Sequence, residues 1–128
     1  MSETYIVEKT KKTPSIIFDQ SLGKLEVSGY SLPSNSLEFY TPLFNLVRSY
    51  IVNPQPVTEI VFNVEYFNTS SSKIFLHLLL EFEILIGMGK DVSVIWYVDE
   101  EDSDMYEAGL TYQSSIKIPI KIQQLSDS

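Results

Sequence analysis

The 128-residue chain contains no cysteine, which removes disulfides, thiol nucleophiles, iron–sulfur clusters and cysteine-ligated zinc. Histidine occurs once, at His77, inside an apolar stretch and at helical spacing from Lys73 and Glu81. With no second histidine and no hydrolase serine motif, a hydrogen-bonded structural or interface role suits it better than a general base. Positive charge is scarce: 9 Lys and Arg stand against 17 Asp and Glu, for a formal net charge of −8 and a pI near 4.5. Phosphate backbones are bound by clustered cations, so no nucleic-acid partner is expected. The chain holds only 5 glycines. None builds a phosphate cradle, because Gly87-Met88-Gly89-Lys90 closes a helical pattern and lacks the spacing and hydroxyl of a nucleotide-binding loop. No apolar run is long and clean enough for membrane insertion, and Met1 to Lys12 carries no apolar leader, so a cytoplasmic protein is expected. The acidic run Asp99 to Asp104 lacks the glycine and terminal glutamate of an EF-hand loop and reads as solvated charge. Glu65 beside Thr69 is too little for an acid/base pair. These absences predict a protein with no metal, no cofactor and no enzymatic activity of its own.

What is present is ordinary globular material, with 44% hydrophobic and 20% charged residues, in a length that suits one domain over 1–128. Residues 1–12 read as a polar stretch with a short strand at Tyr5-Ile6-Val7, and 123–128 as a tail. Ser15 to Phe18 and Lys24 to Gly29 form strands joined by the turn Asp19 to Gly23, an antiparallel hairpin. Tyr30 to Ser36 reads as a loop leading to a helix that Asn35 caps, with Glu38 placed for a capping box. Leu37, Tyr40, Phe44, Val47, Tyr50 and Ile51 recur at helical spacing until Asn53-Pro54-Gln55-Pro56 stops it. Val92 to Tyr97 is a buried strand. A surface helix from about Ser103 to Ser114, capped by Asp102 or Ser103, follows the acidic run. Ile116 to Ile122 is a final edge strand that tolerates Pro119. The order of elements predicts an α/β domain: a mixed sheet with an N-terminal antiparallel hairpin, a parallel remainder and about three helices.

The chain is organised around Glu59 to Gly89. Ile60, Val61, Phe62 and Val64 read as a strand covered on both faces. Ile74 to Ile86 reads as a largely covered helix running to Gly87 or Gly89. Between them lies Tyr66-Phe67-Asn68-Thr69-Ser70-Ser71-Ser72-Lys73, a hydroxyl cluster at a helix start, where Asn68, Thr69 or Ser70 can cap. A phosphate on Thr69 adds about −1.5 to −2 charges where free N–H groups and the helix dipole tolerate them. A partner docked on that surface would not tolerate them. The plain alternative is that Asn68 to Ser72 only cap the helix.

Three stretches together carry a resemblance: Leu32-Pro33-Ser34-Asn35-Ser36; Tyr66 to Lys73; and Trp96-Tyr97-Val98-Asp99-Glu100 with Asp104-Met105-Tyr106-Glu107-Ala108-Gly109. In order and spacing, from about Thr13 to Ile122, they resemble the SiaC family of bacterial regulatory phosphoproteins; Ser34 departs from the glutamate common there. The resemblance implies a single STAS-like domain, similar to anti-sigma factor antagonists. It implies phosphorylation of the threonine in the Asn-Thr-Ser-Ser motif, here Thr69, with Ser70 a second candidate. The partners implied are a SiaB-type kinase, a metal-dependent serine/threonine phosphatase of SiaA type and a diguanylate cyclase of SiaD type, with cyclic di-GMP synthesis and biofilm behaviour as the output. The partner surface is expected at Asn68, Ser70 and Ser71 and along the row Lys73, His77 and Glu81, whose spacing places them on one helical face. Two other readings are an anti-sigma factor antagonist acting on a sigma-binding kinase, and an unmodified small-ligand-binding domain using Tyr66, Phe67, Trp96 and Tyr97.

Overall fold

The computed structural model describes residues 4–125, so residues 1–3 and the end of the expected tail, 126–128, lie outside the described residues. The elements are β1 (Thr4–Val7), β2 (Ser15–Asp19), β3 (Lys24–Ser31), α1 (Ser36–Val52), β4 (Val57–Phe67), α2 (Thr69–Gly87), β5 (Asp91–Val98), α3 (Ser103–Ser115) and β6 (Ile120–Gln124). The strands lie in the sheet in the order of the chain, β1-β2-β3-β4-β5-β6. Both β1–β2 and β2–β3 pair antiparallel, and β3–β4, β4–β5 and β5–β6 pair parallel. The expected hairpin is thus β2–β3, and the short N-terminal strand joins it as the sheet edge.

Because each parallel pair is sequential, right-handed crossovers lay all three helices on one face of the sheet. Burial follows that geometry. Leu25, Val27, Ile60, Phe62, Val64, Val92, Val94 and Trp96 point into a single core shared with helical Tyr40, Leu43, Val47, Phe75, Leu78, Leu79 and Phe82. The alternate residues Glu26, Glu59, Asn63, Ser93 and Tyr97 are half-buried or exposed on the open face. This corrects the expectation that β4 is covered on both faces. Val61, only 7% exposed, sits on the open side with Glu26 and Ile95 as its register neighbours, and it makes a one-sided strand read as a two-sided one.

An aromatic column runs across the core. Phe75 of α2 lies 5.9 Å from Tyr40 of α1 and 5.0 Å from Phe62 of β4, and Trp96 of β5 lies 5.3 Å from both Phe62 and Tyr112 of α3. Burying each such ring stabilises the fold by about 1.5–3 kcal/mol. Helix α3 approaches the sheet closely through Gly109, where a Cβ would stand 2.7 Å from Trp96 Cδ1. Only Met105, Gly109 and Tyr112 of α3 are buried, so it is the surface helix expected.

Several boundaries move. Tyr30 and Ser31 belong to β3 and Tyr66 and Phe67 to β4, rather than to loops. Strand β6 begins after Pro119 and takes Gln123 and Gln124 from the expected tail. It is the parallel edge strand of the sheet, and Pro119, just outside it, still accepts a bond from Val94 N–H at 3.0 Å. Pro42 lies inside α1. It removes one helical N–H, the one that would have bonded the carbonyl of Glu38, an exposed residue.

Candidate regulatory site at the start of α2

Strand β4 ends at Phe67 and α2 begins two residues later, so the site is a helix start at the carboxyl ends of the parallel strands. Asn68 is the cap. Its backbone is extended (φ −84°, ψ 174°), and its side-chain oxygen accepts from Ser71 N–H at 2.9 Å. Its own N–H donates to Ser31 O at 3.1 Å, which ties the turn to the end of β3.

The hydroxyls that follow are not equivalent. Ser70 Oγ donates to Asn68 Oδ1 at 3.1 Å and lies 2.6 Å from Ser36 Oγ at the start of α1. Ser71 is fully buried, with its Oγ 2.8 Å from Ser31 Oγ and donating to Ser31 O at 3.1 Å. Ser31 Oγ in turn lies 2.6 Å from the Tyr40 hydroxyl, and burial pushes that phenol's pKa up. Ser72 is reached by the Tyr112 hydroxyl, which donates to Ser72 O at 2.9 Å and whose pKa is likewise raised by burial. Thr69 differs from all of them. It is exposed, and among the described residues its hydroxyl makes no hydrogen bond.

The geometry sorts the expected site residues. Asn68, Thr69 and Ser70 come together at the helix start. Ser71 does not belong on a partner surface: it is a buried hydroxyl that fastens α2 to β3. Lys73 and His77 are exposed and continue the face of Thr69 down the helix. Glu81, half-buried, is held by Arg48 of α1, Nε to Oε1 3.0 Å, so it braces the two helices. An open cavity of about 400 Å³ runs between α1 and α2, with His77, Leu80 and Ile84 on one wall and Leu37, Phe44 and Arg48 on the other. The four aromatics of the ligand-binding reading divide between core and surface. Trp96 is buried and donates to Met105 O at 3.0 Å, and Phe67 packs on Phe75 and Trp96. Tyr66 is 58% exposed. Sequence reasoning passed over Ser31, Ser36, Tyr40 and Tyr112, which fix the helix start. Their partners lie 34–40 residues away or, for Tyr40, nine, and no local pattern announces such pairs.

Comparison with known proteins places the chain among small regulatory domains. It belongs to the SiaC family of regulatory phosphoproteins, whose family model matches residues 7–125. An uncharacterised protein of Pseudomonas aeruginosa strain UCBPP-PA14 is 29% identical over 123 residues, covering 96% of this chain and 97% of the relative. The crystal structure of apo-SiaC from Pseudomonas aeruginosa superposes with a TM-score of 0.87 at 27% identity, over 94% of this chain and 98% of the other. SiaC in its complex with the diguanylate cyclase SiaD, which it activates, gives a TM-score of 0.89 at 27% identity, over 94% and 99%. The expected mixed sheet and SiaC-like domain are therefore the ones found.

Proposed function

We propose that this chain is a phosphorylation-controlled adaptor of a diguanylate cyclase. Unmodified, it docks through the start and outer face of α2, with Asn68, Thr69, Ser70, Lys73 and His77 in contact, and raises cyclase activity. A SiaB-type kinase phosphorylates Thr69 and ends the contact; a SiaA-type phosphatase restores it, so that biofilm behaviour follows the phosphorylation state. The chain itself carries out no chemistry and works in the cytoplasm.

The observation that carries this reading is the exposed, unbonded hydroxyl of Thr69 beside three serines whose hydroxyls are engaged. Phosphate there meets the free N–H groups of the first helical turn and displaces no internal hydrogen bond, so the fold survives while the docking surface gains charge. At Ser71 the same group would have to enter the core. The SiaC–SiaD complex supports a cyclase as the partner class.

The test is fragment mass mapping of the protein from its native cell with and without phosphatase inhibition, followed by cyclase binding and activation by Thr69→Ala and Thr69→Glu. We expect phosphate on Thr69, a Thr69→Ala chain that binds, and a Thr69→Glu chain that melts as the parent does but binds at least tenfold more weakly. Phosphate confined to another residue, or equal binding by both variants, would overturn the assignment.

A further inference from the structure

The carboxyl rim of the sheet carries a second feature, apart from the α2 face. At the junction of Gly29 and Tyr30 the pairing of β3 with β4 slips by one residue, so that Gly29 faces Val64, Tyr30 faces Tyr66, and Glu65 is the extra residue between them. A bulge re-aims the side chains that follow it. Here it sets two tyrosines side by side, Tyr30 42% and Tyr66 58% exposed, where the regular alternation of β4 would have turned position 66 toward the helices.

The tyrosine pair is flanked by charge of opposite sign. On one side the loop between β1 and β2 carries Lys9, Lys11 and Lys12, a third of the chain's 9 cations. That loop is folded. Thr10 Oγ1 accepts from the N–H groups of Lys12 and Thr13 at 3.2 and 2.9 Å, and Lys12 O accepts from Leu32 N–H at 2.6 Å. The stem of Lys9 lies against Gly29, where a Cβ would stand 2.8 Å from Lys9 Cδ. Lys9 and Lys11 share one open cavity with Tyr30 and Glu65. On the other side a second cavity, again bounded by Tyr30 and Glu65, is closed by Tyr97, Asp99, Glu101 and Asp102. Asp99 Oδ1 accepts from Glu101 N–H and Asp102 Oδ1 from Met105 N–H, both at 3.0 Å, so this loop is folded too.

A strip that runs from cations through aromatics to anions is complementary to its own copy. A two-fold axis through the tyrosine pair exchanges the ends, laying the lysine loop of one copy on the acidic loop of the other, with four tyrosines between them. We propose that this rim is a self-association surface through which two copies of the chain form an isologous dimer. Its binding energy comes from the tyrosines and its register from the paired charges. The net charge of −8 on each copy opposes association at long range. At about 150 mM salt the screening length is about 8 Å, which suppresses that repulsion while leaving contact pairs in force. The proposal does not depend on phosphorylation or on a cyclase.

The test is sedimentation velocity on the full chain from about 1 µM to about 500 µM at about 150 mM salt, with circular dichroism to confirm folding of each variant. One variant is Lys11→Glu with Lys12→Glu. The other is Glu100→Lys with Glu101→Lys, which spares the carboxylates that fold the acidic loop and halves the net charge. The parent is expected to dimerise across this range and each variant alone to be monomeric. Their equal mixture, followed by fluorescence anisotropy of one labelled partner, is expected to associate, because in the mixed pair the two unaltered loops meet each other and the two charge-reversed loops meet each other. Tyr30→Ala with Tyr66→Ala weakens the parent dimer at least about tenfold, and Glu65→Gln, which removes a like charge near the axis, tightens it. Three results overturn the proposal: a parent that stays monomeric throughout, a Glu100→Lys/Glu101→Lys chain that associates as well as the parent, or a mixture that does not associate. The second of these would assign any dimer to net charge rather than to the strip.

Discussion

Helices α1 and α2 start by the same local chemistry and end up in different roles. Asn35 caps α1 and accepts from Glu38 N–H at 3.1 Å; Asn68 caps α2 and accepts from Ser71 N–H at 2.9 Å. At the first and third positions the burial is reversed. The first residue of α1, Ser36, is 6% exposed and bonded to Ser70, whereas the first residue of α2, Thr69, is exposed and unbonded. The third residue of α1, Glu38, is in solvent, whereas the third of α2, Ser71, is in the core. One cap motif therefore serves two ends. At α1 the buried hydroxyl is spent at the first position and a carboxylate satisfies the helix dipole from outside. At α2 the third position is fastened inward, and the first is left in solvent.

Replacing the third residue of each helix should separate the two starts most widely. Ser71→Ala takes from Ser31 Oγ the buried acceptor it donates to and should cost about 1–3 kcal/mol in urea unfolding. Glu38→Ala should cost no more than about 0.5 kcal/mol.

A pH titration should report on the buried hydroxyls that join α1 to the start of α2 through Ser31. Burial raises the Tyr40 pKa in the folded state, so its contribution to stability is complete below the unfolded tyrosine value of about 10 and is lost as pH rises through the folded value. Stability measured between about pH 9 and 11 should fall more steeply in the parent than in Tyr40→Phe, by about 1 kcal/mol; parallel curves would remove Tyr40 from the account.

The caps themselves should differ little. Asn35→Ala and Asn68→Ala should each lose about 1 kcal/mol, with Asn68 the larger because its oxygen also accepts from Ser70. Smallest of all is Thr69→Ala, for which a change within about 0.5 kcal/mol is expected; a loss as large as that of Ser71→Ala would show that the Thr69 hydroxyl is structural after all.

The legible parts of the molecule were the local ones. The cap at Asn35, the turn at Asp19 to Gly23 and the stop at Pro54 each depend on a few adjacent residues, and the sequence displays them directly; for α2 it narrows the cap to Asn68, Thr69 or Ser70, and the structure selects Asn68. Strand ends were harder, because Tyr30-Ser31 and Tyr66-Phe67 sit next to Pro33 and Asn68, whose turn chemistry dominates a short window. The cover of β4 was misjudged for a different reason. Val61 owes its burial to Glu26 and Ile95 on neighbouring strands, and a single strand's pattern cannot distinguish that from a second layer of helices. At the site, Thr69 could be chosen from its motif, but the inequality among Thr69, Ser70, Ser71 and Ser72 is set by Ser31, Ser36 and Tyr112, from three other elements. Sequence spacing gave the row Lys73, His77 and Glu81 its common face; only the tertiary fold reveals that Arg48 already holds Glu81.

The order of the strands has a consequence for how the chain reaches this state. Every strand after the first pairs with the one made just before it, so no pairing waits for a distant segment and each closure spans one turn or one crossover helix. Loop-closure entropy is met in small instalments, the condition under which folding is fast for a given stability. A chain emerging from the ribosome can add β4, β5 and β6 in turn to a hairpin already formed, and at every stage β1 holds one edge of the growing sheet while the other is the one the next strand will occupy.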